Sequence, residues 1–218
     1  MASSDTESLV LYFTPDTCAL ASLVVCYDAG IEPKINYVDF ASSQQRSVDY
    51  VSINPKARVP ALSNGNSVLT ETPAILTYLA QAHPEANLLP KDAWALAQVQ
   101  SFNAYLCSTL HVAHAHRMRG YRWVDGREHE EAMRRKVPEA MTACYSYIEK
   151  HVFEGPFVFG DEYTICDPYL FTIAQWMEPD GVDPNFFPDL SRHRALMSSR
   201  PSVKRALAVE RSFAVRQA

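Results

Sequence analysis

The strongest constraint on the fold is the stretch Leu9-Val10-Leu11-Tyr12-Phe13-Thr14-Pro15-Asp16-Thr17-Cys18-Ala19-Leu20. It opens with a continuous apolar run rich in β-formers, passes through a Thr/Pro/Asp turn, and enters a helical pattern. Leu20, Leu23, Val24 and Tyr27 recur near helical spacing, which predicts a helix from about Thr17 to Ala29. Gly30 closes that helix as its C′ residue, and Lys34 to Phe40 reads as a second strand. Two strands one helix apart make a βαβ unit, and such a unit pairs its strands in parallel. The unbroken apolar run at 9–13 predicts a strand covered on both faces.

This pattern puts Cys18 on the first turn of a helix, just beyond a strand. Backbone N–H groups point outward there and the helix dipole favours a thiolate. The alternative is a buried cysteine that only fills the core, because unpaired cysteines are among the most buried residues. The chain has five cysteines, Cys18, Cys26, Cys107, Cys144 and Cys166, with no C-x-x-C pair. An odd count without close pairs argues against a disulfide framework and a zinc knuckle, and fits a reducing, cytoplasmic setting. A net charge of −5 gives no electrostatic footprint for nucleic acid. No apolar segment is long enough to span a membrane, and the polar stretch 1–8 reads as a loose tail without a signal-peptide core.

Residues 41–53 are polar and weakly helical, the least regular part of this half. Asn54-Pro55-Lys56-Ala57-Arg58-Val59-Pro60-Ala61-Leu62 is a turn leading into a short strand, and Ser67-Val68-Leu69 is its partner beyond Asn64-Gly65, a strong hairpin signal. Pro60 has no ladder donor, so it belongs at the start of its strand. Thr72 suits an N-cap and Pro73 the first helical position of a helix whose inner face is Ile75, Leu76 and Leu79. Pro84, Asn87, Pro90 and Asp92 mark a linker. The predicted domains are therefore 1–84 and 93–218, joined by 85–92.

The second half reads as helices. Leu96, Val99, Phe102, Leu106, Leu110 and Ala113 predict one long helix from Ala93 to about Gly120, broken off by Asp125-Gly126. Glu128 to Val152 predicts another, with a bend or break near 134–138 because Pro138 lies inside it. Thr164-Ile165-Cys166-Asp167 is a capping box before a helix that is apolar around most of its circumference, so that helix belongs at a core. Two short helices follow, one over about Leu190 to Ser199 and one from about Pro201.

The order β-α-β-α-β-β-α followed by an all-helical domain resembles the cytosolic glutathione transferases. Four segments carry the likeness. Tyr12 to Ala21 is similar to the cysteine-containing opening of the bacterial beta class. Asn54 to Leu62 resembles the family segment with a cis-proline, and Leu69 to Ile75 the segment that holds the γ-glutamyl group of glutathione. Gly160 to Asp167 resembles the N-capping box of the family's buried helix, and the tail Arg200 to Leu207 is also family-like. The resemblance implies a thioredoxin-like N-terminal domain, an all-α C-terminal domain and glutathione as co-substrate, with no metal.

The resemblance also implies roles. Cys18 would lie beside the glutathione sulfur, and His111, in Thr109-Leu110-His111, would reach toward it or toward a substrate. Val59, freed by a cis Pro60, would pair its backbone with the cysteinyl part of glutathione. Thr72 would offer the helix N-terminus to the γ-glutamyl carboxylate, Glu71 a counter-charge to the amine, and Lys56 a cation to the glycyl carboxylate. Lys56 reads equally as a surface lysine, a solvated first-turn acid is the lesser alternative for Glu71, and Tyr12 reads as packing. Ala19 stands where the family commonly has serine, and Ala104 where it has an asparagine used by the partner subunit's glutathione site. Asn103 is one residue, about 100° of helix, away from that position. His111 and His114 share a face but His116 points elsewhere, and no acidic ligand accompanies them locally, so they read as polar helix-face histidines and not as a metal site. Tyr105, His114, Met118 and Trp176 fit either a substrate pocket or core packing.

The implied function is conjugation of the glutathione thiol to an apolar electrophile bound between the domains, a detoxification transferase working as a homodimer. Two alternatives remain open. One is thiol–disulfide or peroxide chemistry through Cys18, and the other a non-catalytic glutathione- or protein-binding module.

Overall fold

The structure is a computed structural model and describes residues 9–214; the stretch 1–8 lies outside them. The described parts of Met1–Asn87 and Arg200–Ala218 form one compact unit, and Leu88–Ser199 forms another.

In the first unit, β1 (Val10–Phe13), α1 (Ala19–Asp28), β2 (Lys34–Tyr37), α2 (Val48–Ile53), β3 (Ala61–Ser63), β4 (Val68–Thr70) and α3 (Thr72–Ala82) follow one another. The sheet order is β2-β1-β3-β4. β1 and β2 are parallel, as a βαβ unit requires, and β3 runs antiparallel to both β1 and β4. Gly30, at φ 70°, ends α1 in a Schellman motif: its N–H bonds to Tyr27 O and that of Ile31 to Cys26 O.

β1 departs from the sequence expectation. Leu11 and Phe13 are fully buried, but Val10 and Tyr12 are only half-buried. Tyr12 meets Tyr50 of α2 edge-on at 5.7 Å. That two-turn helix is too short to close the face, so the strand alternates instead of being buried on both sides.

The last helix, α9 (Pro201–Ala214), is what differs from domains divided at 84 and 93. It packs on α1 and buries Val203 and Ala206 completely. Arg205 pairs with Glu32 and covers the Tyr27 ring at 4.1 Å, Arg200 pairs with Asp28 at 3.4 Å, and Phe213 stacks on Tyr37 at 5.0 Å.

The second unit holds α4 (Ala93–Tyr105), α5 (His111–Arg119), α6 (Arg127–His151), α7 (Cys166–Ala174) and α8 (Pro188–Ser199). Every residue of α7 is buried, which places it at the core of this unit. Asp167 accepts from the backbone N–H of Thr164 at 2.8 Å and of Val158 at 2.9 Å, and meets His193 Nε2 at 3.0 Å. The capping box thus ties a loop and α8 to the start of α7.

Two expectations are corrected here. The long helix from Ala93 is not uniform, because Leu106–Leu110 forms a π-helical turn between α4 and α5. α6 runs through Pro138 without a break. Pro138 lies against Gly181, where a Cβ would meet its ring at 3.1 Å, so close packing retains the helix despite a lost backbone bond.

Candidate functional site

Strand register explains why distant residues meet. β1 ends at Phe13 and delivers the chain to Cys18. Tyr12 pairs with Ala61 and Ala61 with Thr70. The start of β3 and the end of β4 therefore lie at the same edge of the sheet as the end of β1. Val59 precedes β3 and Glu71 follows β4, so both belong to that edge.

Cys18 is the N-cap of α1 and is almost fully buried. Its thiol donates to Val59 O at 3.7 Å. The Val59–Pro60 bond is cis, as the resemblance implied. The preceding carbonyl, Arg58 O, is already taken: Tyr50 Oη and Asn54 Nδ2 both donate to it at 2.7 Å. This fixes the segment from behind and leaves Val59 facing the thiol. Burial pushes the Tyr50 hydroxyl up to about 12, so it stays a donor at physiological pH.

At α3 the cap is Glu71, not Thr72, and Thr72 is the first helical residue with Pro73 second. The cause is the backbone of Glu71, at φ 74° and ψ 120°, which leaves the helix while its carbonyl accepts from Ile75 N–H at 3.0 Å. A non-glycine residue held at positive φ stores strain, a frequent feature of ligand clamps. No side chain caps this helix. The N–H groups of Thr72 and Ala74 thus lie outside the helical ladder, ready for an anion. Lys56 Nζ pairs with Glu71 Oε1 at 2.5 Å and donates to Thr70 Oγ1 at 2.6 Å. Both charged side chains are about half exposed, so the pair is weak and exchangeable.

The structure therefore brings Cys18 to Val59, and Lys56 to Glu71 beside Thr72. His111 belongs to the second unit, where its ring lies 5.1 Å from that of Trp176. Trp176 also stacks on His114 at 4.0 Å. His114 Nδ1 meets Asp180 Oδ2 at 2.7 Å, and Arg117 Nε stands 3.1 Å from Asp180 Oδ1. Asp180 and Arg117 escaped the sequence reading, because a Pro-Asp-Gly turn reads as a helix stop. Met118 is largely exposed, and Tyr105 packs on Tyr147. Among the described residues, no group of three or more His, Cys, Asp or Glu side chains is placed to hold a metal.

The π turn changes the reading of Asn103. A π turn takes one residue more than an α turn, so it cancels the one-residue offset between Asn103 and the His111 face. Asn103 is fully buried, and neither of its side-chain polar atoms has a hydrogen-bond partner among the described residues. It presents no surface to a second copy.

Comparison with known proteins fits this geometry. Residues 7–81 match the family model for the glutathione S-transferase N-terminal domain, and 114–210 the model for its C-terminal domain. A solved glutathione transferase homologue from Sulfitobacter, with bound glutathione, is 42% identical. The likeness covers 95% of this chain and 99% of that one, with a TM-score of 0.91. The chain belongs to the cytosolic glutathione transferase superfamily.

Within that superfamily it is similar to the bacterial beta class glutathione S-transferase of Sphingomonas chungbukensis. The two are 28% identical, over 92% of this chain and 98% of that one, with a TM-score of 0.80. It is also 26% identical to glutathione S-transferase GstA of Escherichia coli O157:H7, over 92% of this chain and 98% of that protein. The thioredoxin-like first unit and helical second unit are thus those of a glutathione transferase.

Proposed function

We propose that this chain is a glutathione transferase that activates glutathione on its first unit and joins the sulfur to an apolar electrophile. The observation that carries the reading is the contact between the Cys18 thiol and Val59 O at the sheet edge shared with Glu71 and Thr72.

The parts of glutathione match the edge in chemistry. Its peptide backbone pairs with Val59 as an added strand would. Its γ-glutamyl carboxylate takes the N–H groups at the start of α3 and the Thr72 hydroxyl, and Glu71 faces its amine. Lys56 exchanges Glu71 for the glycyl carboxylate. Cys18 turns its S–H from Val59 O to the glutathione sulfur and holds the developing thiolate. The thiol proton leaves to solvent, the thiolate attacks the electrophilic carbon, a C–S bond forms, and the leaving group departs with its electron pair. His111, with Trp176 and His114, serves the electrophile.

A second reading is favoured by the same contact, since the side chain that donates to Val59 O is a thiol. Cys18 exchanges with a glutathione disulfide to form a mixed disulfide, and a second glutathione resolves it. A homodimer is part of the proposal, because Trp94 is 76% exposed. The cytoplasm is its expected location, since all five cysteines are thiols.

Steady-state turnover of glutathione with 1-chloro-2,4-dinitrobenzene, together with calorimetric glutathione binding, tests the transferase reading. Binding without turnover of aryl halides, epoxides or peroxides would leave only a glutathione-binding module.

A further inference from the structure

We propose that Glu210, near the end of α9, is a positioning residue for the Cys18 loop. This rests on the reading of Cys18 as the thiol beside glutathione.

Besides the Cys18–Val59 O contact, side-chain hydrogen bonds hold the loop between β1 and α1. Thr14 Oγ1 donates to Val38 O at 2.6 Å and Thr17 Oγ1 to Thr14 O at 2.7 Å, while Ala19 N–H donates to Thr17 Oγ1 at 3.3 Å. These three bonds are made within the opening segment 14–38. Another reaches much farther: Asp16 N–H donates to Glu210 Oε1 at 2.8 Å, across 194 positions of sequence. Asp16 is the one residue of this loop with a left-handed backbone, at φ 58°. Such a conformation is uncommon for a residue with a Cβ and needs support. Two residues later comes Cys18.

Glu210 is placed to give that support. Burial pushes its carboxyl up from the ordinary value, the Asp16 N–H bond pulls it down, the Asp16 carboxylate raises it and Arg211 lowers it. A half-buried carboxyl that faces another acid and accepts from that acid's own backbone N–H does more than attach a helix to the surface. Nor does α9 need it for attachment, since Arg200, Arg205 and Phe213 already hold the helix to Asp28, Glu32, Tyr27 and Tyr37. The backbone donor it takes is the one that sets the turn before the thiol. Without this acceptor the Asp16 N–H loses its partner, the left-handed turn relaxes, and Cys18 shifts relative to Val59 O.

The test compares Glu210→Ala with Glu210→Gln, which keeps an acceptor oxygen, and with Arg205→Ala, which loosens α9 elsewhere. Iodoacetamide alkylation of Cys18 is followed against pH by peptide mass, beside kcat/KM with 1-chloro-2,4-dinitrobenzene. Burial pushes the Cys26 thiol up to about 12 and raises those of Cys144 and Cys166, and peptide mass separates Cys107. Glu210→Ala is expected to move the midpoint of the Cys18 profile and to lower kcat/KM about tenfold. Glu210→Gln restores both, and Arg205→Ala lowers the unfolding temperature without either effect. Should Glu210→Ala fail to fold, Glu210→Asp, which withdraws the acceptor by one methylene, is read by the same criteria. An unchanged Cys18 profile in the folded variant, absence of rescue by Gln, or the same effects from Arg205→Ala would overturn the proposal. If Cys18→Ala keeps full transferase activity, the role of Cys18 in the reaction falls, and the alkylation profile alone still decides the role of Glu210.

Discussion

The thiol of Cys18 and the carbonyl oxygen of Val59 stand 3.7 Å apart, although 41 positions of sequence separate the two residues. The relationship follows from β1 and β3 being antiparallel neighbours, which brings the end of one strand to the start of the other. It places a sulfur donor at a backbone position suited to a peptide-like ligand.

Replacement of Cys18 by Ala separates the two reactions the thiol can serve. Disulfide exchange is expected to disappear, because no sulfur remains to form the mixed disulfide. Conjugation should persist at a reduced level, with kcat/KM lower by roughly tenfold, the effect of losing one hydrogen bond to a charged group. Parallel assays with 1-chloro-2,4-dinitrobenzene and a glutathione disulfide check this. Full disulfide exchange in the variant would remove Cys18 from the redox reading.

Glu71 holds a positive φ that glycine adopts without strain. Glu71→Gly should therefore leave the unfolding temperature unchanged or higher while removing the carboxylate offered to the glutathione amine. KM for glutathione is expected to rise about tenfold with kcat little affected, since a ground-state contact is lost. A lower melting temperature with an unchanged KM would assign Glu71 to the fold alone.

Asp167 has two buried backbone donors and His193 as partners. Asp167→Ala leaves all three without an acceptor in the core of the second unit. Leaving a buried hydrogen-bonding group unsatisfied costs about 1–3 kcal/mol, so urea unfolding should show a loss of several kcal/mol. Asp167→Asn, which retains one acceptor oxygen, should fall between the variant and the parent.

Glu210 gives a pH dependence with a definite sign. Burial raises its carboxyl above the ordinary 4.5, so ionisation is harder in the folded chain than in the unfolded one. Its contribution is complete below that ordinary value and is lost as pH rises through the raised folded value. Glu210→Gln does not ionise, so its stability relative to the parent should grow as pH rises from about 4.5 and then level off. Denaturant midpoints of both proteins across this range measure it. A difference independent of pH would contradict the sign.

Much of this architecture is legible in the sequence because its signals are local. The strand, turn and Gly30-ended helix, the Asn64-Gly65 hairpin and the Thr164–Asp167 box each lie within a few residues. What escapes depends on partners far along the chain. Pro138 breaks a helix in isolation but not where Gly181 admits its ring. The π turn at 106–110 keeps its apolar spacing, so periodicity cannot reveal it. Of the candidate site, Cys18, Val59, Glu71 and Thr72 were marked by motif. The Lys56–Glu71 pair, the Asp180 cluster around His114 and the Glu210 bond had no local mark, because each is made by tertiary contact.

The return of α9 to α1 also sets an order of events during synthesis. A chain emerging from the ribosome presents β1 to α3 first, and domains ordinarily fold as they emerge. Here the outer cover of α1, with Val203 and Ala206, is translated only after the whole of Leu88–Ser199. The nascent first half must wait with an apolar helix flank open to water, and a product truncated at the linker never receives its cover. Premature termination anywhere before residue 200 should therefore yield aggregating or chaperone-bound fragments and not an independent glutathione-binding half.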